Sequence, residues 1–278
     1  MINFFFYKLA IAKRNRKKQY KLDAADVIVL RYPKSGVTWF RMMISRVYAQ
    51  KLGREIPHLV GNSRFERDAP ECPRVFIAMD NIGIGREEMQ SRFEGKKTVL
   101  LLRDPRDIAV SFYFHLTKRS TPQERLTFGV PDNVKSLSLF EFMMDPKLGL
   151  PRIIDFEEFW QSAFEGRPDS LVLHYEDLRK DAGKGLASMM ALMGAEVSAE
   201  EIAKAVAFSS FENMRQLEAR QSFTAGPLQP GNPADFDSFK VRKGKVGGYR
   251  DYFSTVELME IEGLMRARSS RAALSVGQ

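Results

Sequence analysis

Lys34, Ser35, Gly36 and Thr38 stand together in RYPKSGVTWFR, residues 31–41, and could do phosphate chemistry. Lys34 brings a full positive charge, Ser35 and Thr38 bring hydroxyl donors, and Gly36 lets backbone approach an anion closely. Two further constellations have the same character. Arg103 opens RDPRD, with Ser111 eight residues on, and Arg242-Lys243-Gly244-Lys245 sets cations among glycines. Arginine forks suit bidentate phosphate binding. Arg103 can equally pair with Asp104 or Asp107, and a charge run such as 242–245 taken alone is a solvated surface. A ligand with two phosphate-like groups would use all three places.

The elements that must position these residues are strands followed by helices. Val27-Ile28-Val29-Leu30 is an apolar run that stops at Tyr32-Pro33, and a helical pattern resumes through Met42, Met43, Ile44, Val47 and Tyr48. Runs at 99–102 and 171–173 behave alike, with helical patterns following at 107–115 and 185–193. Short buried runs alternating with helices indicate an α/β fold with a central parallel sheet flanked by helices. In such sheets ligands bind beyond the carboxyl ends of the strands. Lys34 and Arg103 both fall there, and backbone N–H groups at the first helix start favour an anion. Asp104-Pro105 reads as a helix start. GxxxxGK[ST] is absent and the lysine precedes the glycine, so Mg-ATP bound in the Walker manner is not expected.

Composition narrows the class. The 278 residues are 44% hydrophobic, enough for a substantial core, and carry a net charge of +8. That balance favours anionic ligands. With no zinc-ligand spacing and no basic stripe interleaved with aromatics, nucleic acid is not an expected partner. A single cysteine, Cys72, precludes an internal disulfide and fits a reducing, cytoplasmic setting, and three histidines make a multi-histidine metal site unexpected.

Residues 1–22 join Phe4, Phe5 and Phe6 to a basic run at 13–18. The segment is too short to span a bilayer and makes a poor signal peptide. It reads as a terminal helix packed on the domain at 23–278, or as a basic segment peripheral to an anionic membrane. Residues 222–237 are rich in Gly-Pro and Asn-Pro steps and cannot be regular structure. A lid or binding loop, or a simply disordered one, is expected across 222–240.

In register, these motifs resemble the cytosolic-type sulfotransferases that use 3′-phosphoadenosine 5′-phosphosulfate (PAPS). YPKSGxTW (32–39), RDPRDxxVSxY (103–113) and RKGxxG (242–247) match that family's three cofactor motifs, with Tyr175-Glu176-Asp177-Leu178 and 210–214 resembling two more segments. The resemblance spans roughly 26–254 and implies a single-domain, P-loop-like sulfotransferase fold with no metal requirement. It implies that Lys34, Ser35, Gly36, Val37 and Thr38 hold the 5′-phosphosulfate. By the same resemblance, Trp39 would stack on adenine with Tyr175 and Phe211 lining that pocket, and Arg103, Ser111, Arg242, Lys243 and Gly244 would take the 3′-phosphate. The acceptor would be a hydroxyl or amine of a small molecule, lipid or glycan, bound by variable loops.

Four departures qualify this. Met79 falls where the family has its histidine base, and methionine accepts no proton. Asp80 beside it is the candidate base, with His115 a second candidate and a packed helix histidine the plainer reading of it; His174 reads as structural. Val37 replaces a preferred hydroxyl. Gly248-Tyr249 replaces Asp-Trp, and 250–259 fits the family's homodimer segment only in part. The expectation is an active PAPS-dependent sulfotransferase; the alternative is a silent PAPS-binding protein that lost its base.

Overall fold

A computed structural model describes residues 2–79, 84–220 and 238–275. Four strands form one parallel sheet: β1 (Val27–Arg31), β2 (Val75–Ala78), β3 (Lys97–Leu102) and β4 (Ser170–His174), in the order β2-β1-β3-β4. The three apolar runs are thus β1, β3 and β4. The additional strand, β2, is four residues long at a sheet edge, too short to stand out as an apolar run.

Strand side chains alternate between two faces, and each face has its own core. Ile28, Leu30, Phe76, Ala78, Leu100 and Leu102 point to one side, where helices Pro105–Lys118 and Leu150–Phe164 cover them with Ile108, Phe112, Phe156 and Trp160. Val27, Val29, Val75, Val99 and Leu101 point to the other. There helices Val37–Lys51, Ala182–Leu192 and Ala199–Phe208 supply Phe40, Ile44, Met189 and Ile202. Continuous apolar strands follow from this double cover.

The N-terminal segment is helical from Ile2 to Asp23. Its end is fastened to the sheet core: Leu22 is fully buried, and Lys21 donates to Ser63 Oγ at 2.7 Å. Lys96 donates to the Asp23 carbonyl at 2.7 Å. No helix among the described residues is long and apolar enough to cross a membrane. The expected lid falls almost wholly outside the described residues.

Candidate active site

The loop after β1 turns sharply at two positions. Gly36 has φ +90°, and Lys34, at φ +79°, is the one non-glycine with positive φ among the described residues. A left-handed lysine costs on the order of 1 kcal/mol, which neighbouring contacts must offset. One is an Arg103 Nη1–H donated to the Lys34 carbonyl at 3.1 Å. Ser35 is fully buried and donates Oγ–H to the Tyr32 carbonyl at 2.8 Å, closing the turn from within. Gly36 caps helix Val37–Lys51 with no side-chain partner, so the first N–H groups stay open to an anion. Thr38 presents a buried Oγ1 with no hydrogen-bond partner.

Tyr175, at the end of β4, holds the loop in place. A Cβ on Gly36 would lie 2.6 Å from its ring, and Trp39 meets that ring edge-on at 5.8 Å. The Arg103 guanidinium lies 4.4 Å above the same ring, and Tyr175 donates its hydroxyl to the Gly244 carbonyl at 3.4 Å. Gly244 in turn sits against Phe211: a Cβ there would come within 2.8 Å of that ring. All three basic constellations therefore meet around one tyrosine.

The second constellation begins as its sequence indicates. Asp104 caps helix Pro105–Lys118, accepting the Arg106 N–H at 2.9 Å. Arg103 pairs with Asp107 at 3.7 Å, while Asp104 pairs with Arg106. Asp107 also accepts the backbone N–H groups of Gly247 and Tyr249, which ties the third constellation to the second. Tyr249 is fully buried, donates its hydroxyl to Glu262 at 2.7 Å and lies under Arg106. Arg242 contacts the Tyr252 hydroxyl and lies 4.2 Å from the Phe114 ring, and Lys243 pairs with Asp251 at 3.2 Å.

These residues line one cavity of about 720 Å³. Lys34, Gly36, Val37, Thr38, Trp39, Arg103, Ser111, Tyr175, Phe211, Arg242, Lys243 and Gly244 all reach it; Ser35 supports the loop from behind. Met79 follows the carboxyl end of β2 and is not among the lining residues; Asp80 lies outside the described residues. Among the described residues no group of three or more His, Cys, Asp and Glu is arranged to hold a metal ion.

Sequence reasoning gave no site role to Arg31, Asp107, Arg119, Glu218 and Lys240. Arg31 ends β1 and Arg103 directly follows β3, a parallel the sequence contained. Arg119 and Glu218 come from distant helix ends, and only tertiary packing brings them here. Burial, then Arg119, Arg103 and Arg31, lowers the Lys34 pKa to about 7, with Glu218 opposing. Burial, then Lys34, Lys240, Arg119 and Arg31, lowers His115 to about 2, leaving a neutral imidazole in the cavity wall at pH 7.

A family model for the Sulfotransferase domain matches residues 88–269. The chain belongs to the sulfotransferase family. Curated relatives extend the likeness over most of the chain. The chain is 27% identical over 245 residues to human Sulfotransferase 6B1, covering 85% of this chain and 74% of that protein. It is 26% identical over 280 residues to Cytosolic sulfotransferase 17 of Arabidopsis thaliana, covering 91% and 76%. Among solved structures, mouse sulfotransferase SULT7A1 complexed with PAP superposes with a TM-score of 0.57 at 21% identity, covering 88% of this chain and 84% of that one. Retinol dehydratase in complex with androsterone and inactive cofactor PAP gives 0.58 at 18% identity, covering 87% and 80%. The sulfotransferase fold is thereby established.

Proposed function

We propose that this sulfotransferase moves a sulfuryl group from PAPS to a hydroxyl or amine of a small-molecule, lipid or glycan acceptor. The observation that carries this reading is the convergence of three separated basic motifs on one cavity, with Lys34 and an uncapped helix start at one end and Arg242-Lys243 at the other. Structural neighbours are complexes with PAP, and a relative from Cavia porcellus is a 3-alpha-hydroxysteroid sulfotransferase. Both agree with a nucleotide donor and a hydroxyl acceptor.

The residues divide by charge and shape. The N–H groups at Gly36, Val37 and Thr38 and the open Thr38 hydroxyl would receive the 5′-phosphosulfate. Lys34 would neutralise the phosphate oxygen that keeps the electron pair as sulfur transfers. Trp39, Tyr175 and Phe211 would enclose adenine; Arg103, Ser111, Arg242, Lys243 and Gly244 would take the 3′-phosphate. Positioning and charge neutralisation are the main contributions such a transfer needs.

The acceptor proton needs a base, and Asp80 is our first assignment. His115 is the second candidate: it lines the cavity with Nδ1 buried and without a partner, and burial with neighbouring cations holds its pKa near 2, which opposes proton uptake in the nucleotide-free protein. The silent-binder alternative draws on Met79. Transfer of labelled sulfate from PAPS to an acceptor panel tests all three. Asp80→Asn should reduce turnover at least a hundredfold with PAP affinity unchanged. Full turnover in Asp80→Asn with loss in His115→Gln would move the role to His115. PAP binding without transfer or sulfate release in the wild type would make the protein a silent binder.

A further inference from the structure

The cavity holds more positive charge than the donor assignment uses. Lys34, Arg103, Arg242 and Lys243 are given to the two ends of PAPS. Arg31, Arg119 and Lys240 line the same cavity and have no such task. They arrive from three places: the end of β1, the C-cap of helix Pro105–Lys118, and the segment before the third motif. Burial, then Lys34, Arg119, Arg31 and Arg41, holds Lys240 well below the ordinary lysine range.

Among the described residues, Glu218 and Glu124 act on Arg119, and both are engaged. Glu218 is fully buried and accepts the Lys240 and Val241 N–H groups at 2.7 and 2.8 Å, with Arg119 at 3.5 Å. Glu124 accepts the Thr121 N–H at 3.0 Å in a capping box. Among the described residues, neither Arg31 nor Lys240 has a carboxylate at ion-pair distance. Arg31 Nε and His115 Nδ1 are both buried without a hydrogen-bond partner. Clustered, half-buried basic groups suppress one another's charge until an anion joins them, and a bound oxyanion would restore the charge Lys240 has lost.

We propose that the acceptor supplies this anion: it carries, beside the sulfated hydroxyl or amine, an oxyanion of its own that Arg31, Arg119 and Lys240 hold beyond Lys34. Phe128, which meets the His115 ring edge-on at 6.1 Å, gives its body an apolar wall. The proposal names the substrate class of the site described above and rests on the donor assignment there.

The test separates the two. PAP binding is measured first by calorimetry; without it the donor assignment fails and this inference falls with it. PAP-saturated protein is then titrated with inorganic phosphate and, separately, benzoate, against chloride at equal ionic strength. At least one should bind with one-to-one stoichiometry, phosphate alone indicating a phosphorylated acceptor and benzoate alone a carboxylated one. Lys240→Met and Arg31→Met should each weaken that binding at least tenfold, with PAP affinity changed less than threefold, and Lys240→Arg should keep it. If Arg31→Met does not fold, Lys240→Met carries the comparison. Tight PAP binding with no further oxyanion bound, or binding unaltered in the folded variants, overturns the proposal.

Discussion

The Asp107 carboxylate accepts the Gly247 backbone N–H at 2.8 Å across 140 residues of sequence. It accepts the Tyr249 N–H at 2.9 Å as well, while Arg103 stands 3.7 Å away. One buried acid therefore fixes the distance between the two places assigned to the 3′-phosphate. Asp107→Ala should leave two buried N–H groups unmet and cost about 3 kcal/mol of stability. PAP affinity should fall by at least tenfold; thermal unfolding and calorimetry read both.

Gly36 is a second point of control. Alanine there would combine φ +90° with a Cβ 2.6 Å from the Tyr175 ring. The ring must move, and with it the support under Arg103. Gly36→Ala should lower stability by about 1–2 kcal/mol and weaken PAP by more than tenfold. Gly36→Ala at wild-type PAP affinity would show that the loop tolerates displacement.

Much of this was legible in the sequence and some was not. The loop at 31–41, the strand ends at Lys34 and Arg103, and the Asp104-Pro105 helix start follow from local pattern, because phosphate loops and caps are local devices. Glu218 and Arg119 were not legible: a buried acid facing an arginine 99 residues away leaves no periodic trace. β2 escaped because four residues at a sheet edge make a weak apolar run. Asp107 was weighed only as a partner for Arg103, since nothing local shows that its carboxylate also meets backbone beyond residue 246.

Lys34 should reveal itself through proton uptake. Its pKa is about 7 in the nucleotide-free protein, and bound phosphate would restore it toward the ordinary lysine value. Between those values the bound form holds the proton that the free form lacks, so binding near pH 8 should take up about one proton. Calorimetry in two buffers of different ionisation enthalpy measures it. Lys34→Met should abolish the uptake and reduce transfer to background.

His115 sets the acid limb of stability. Its folded pKa of about 2 lies below the unfolded histidine value, so the unfolded chain binds the extra proton as pH falls. The nucleotide-free protein should lose about 1 kcal/mol from this group between pH 7.5 and 5.5. His115→Gln should remove that increment while the remaining acid dependence persists, as denaturant titrations at the two pH values would show.

The sheet order has a consequence for substitution. Lys34 and Arg103 extend from the two central strands, whose neighbours on both sides constrain every substitution. Position 79 follows β2, an edge strand with one neighbour. A substitution at that edge leaves the cradle around Gly36 and Tyr175 undisturbed. The basic cradle and the edge-strand rim are thus separate parts of this architecture, so residues on the rim can change while the cradle stays fixed.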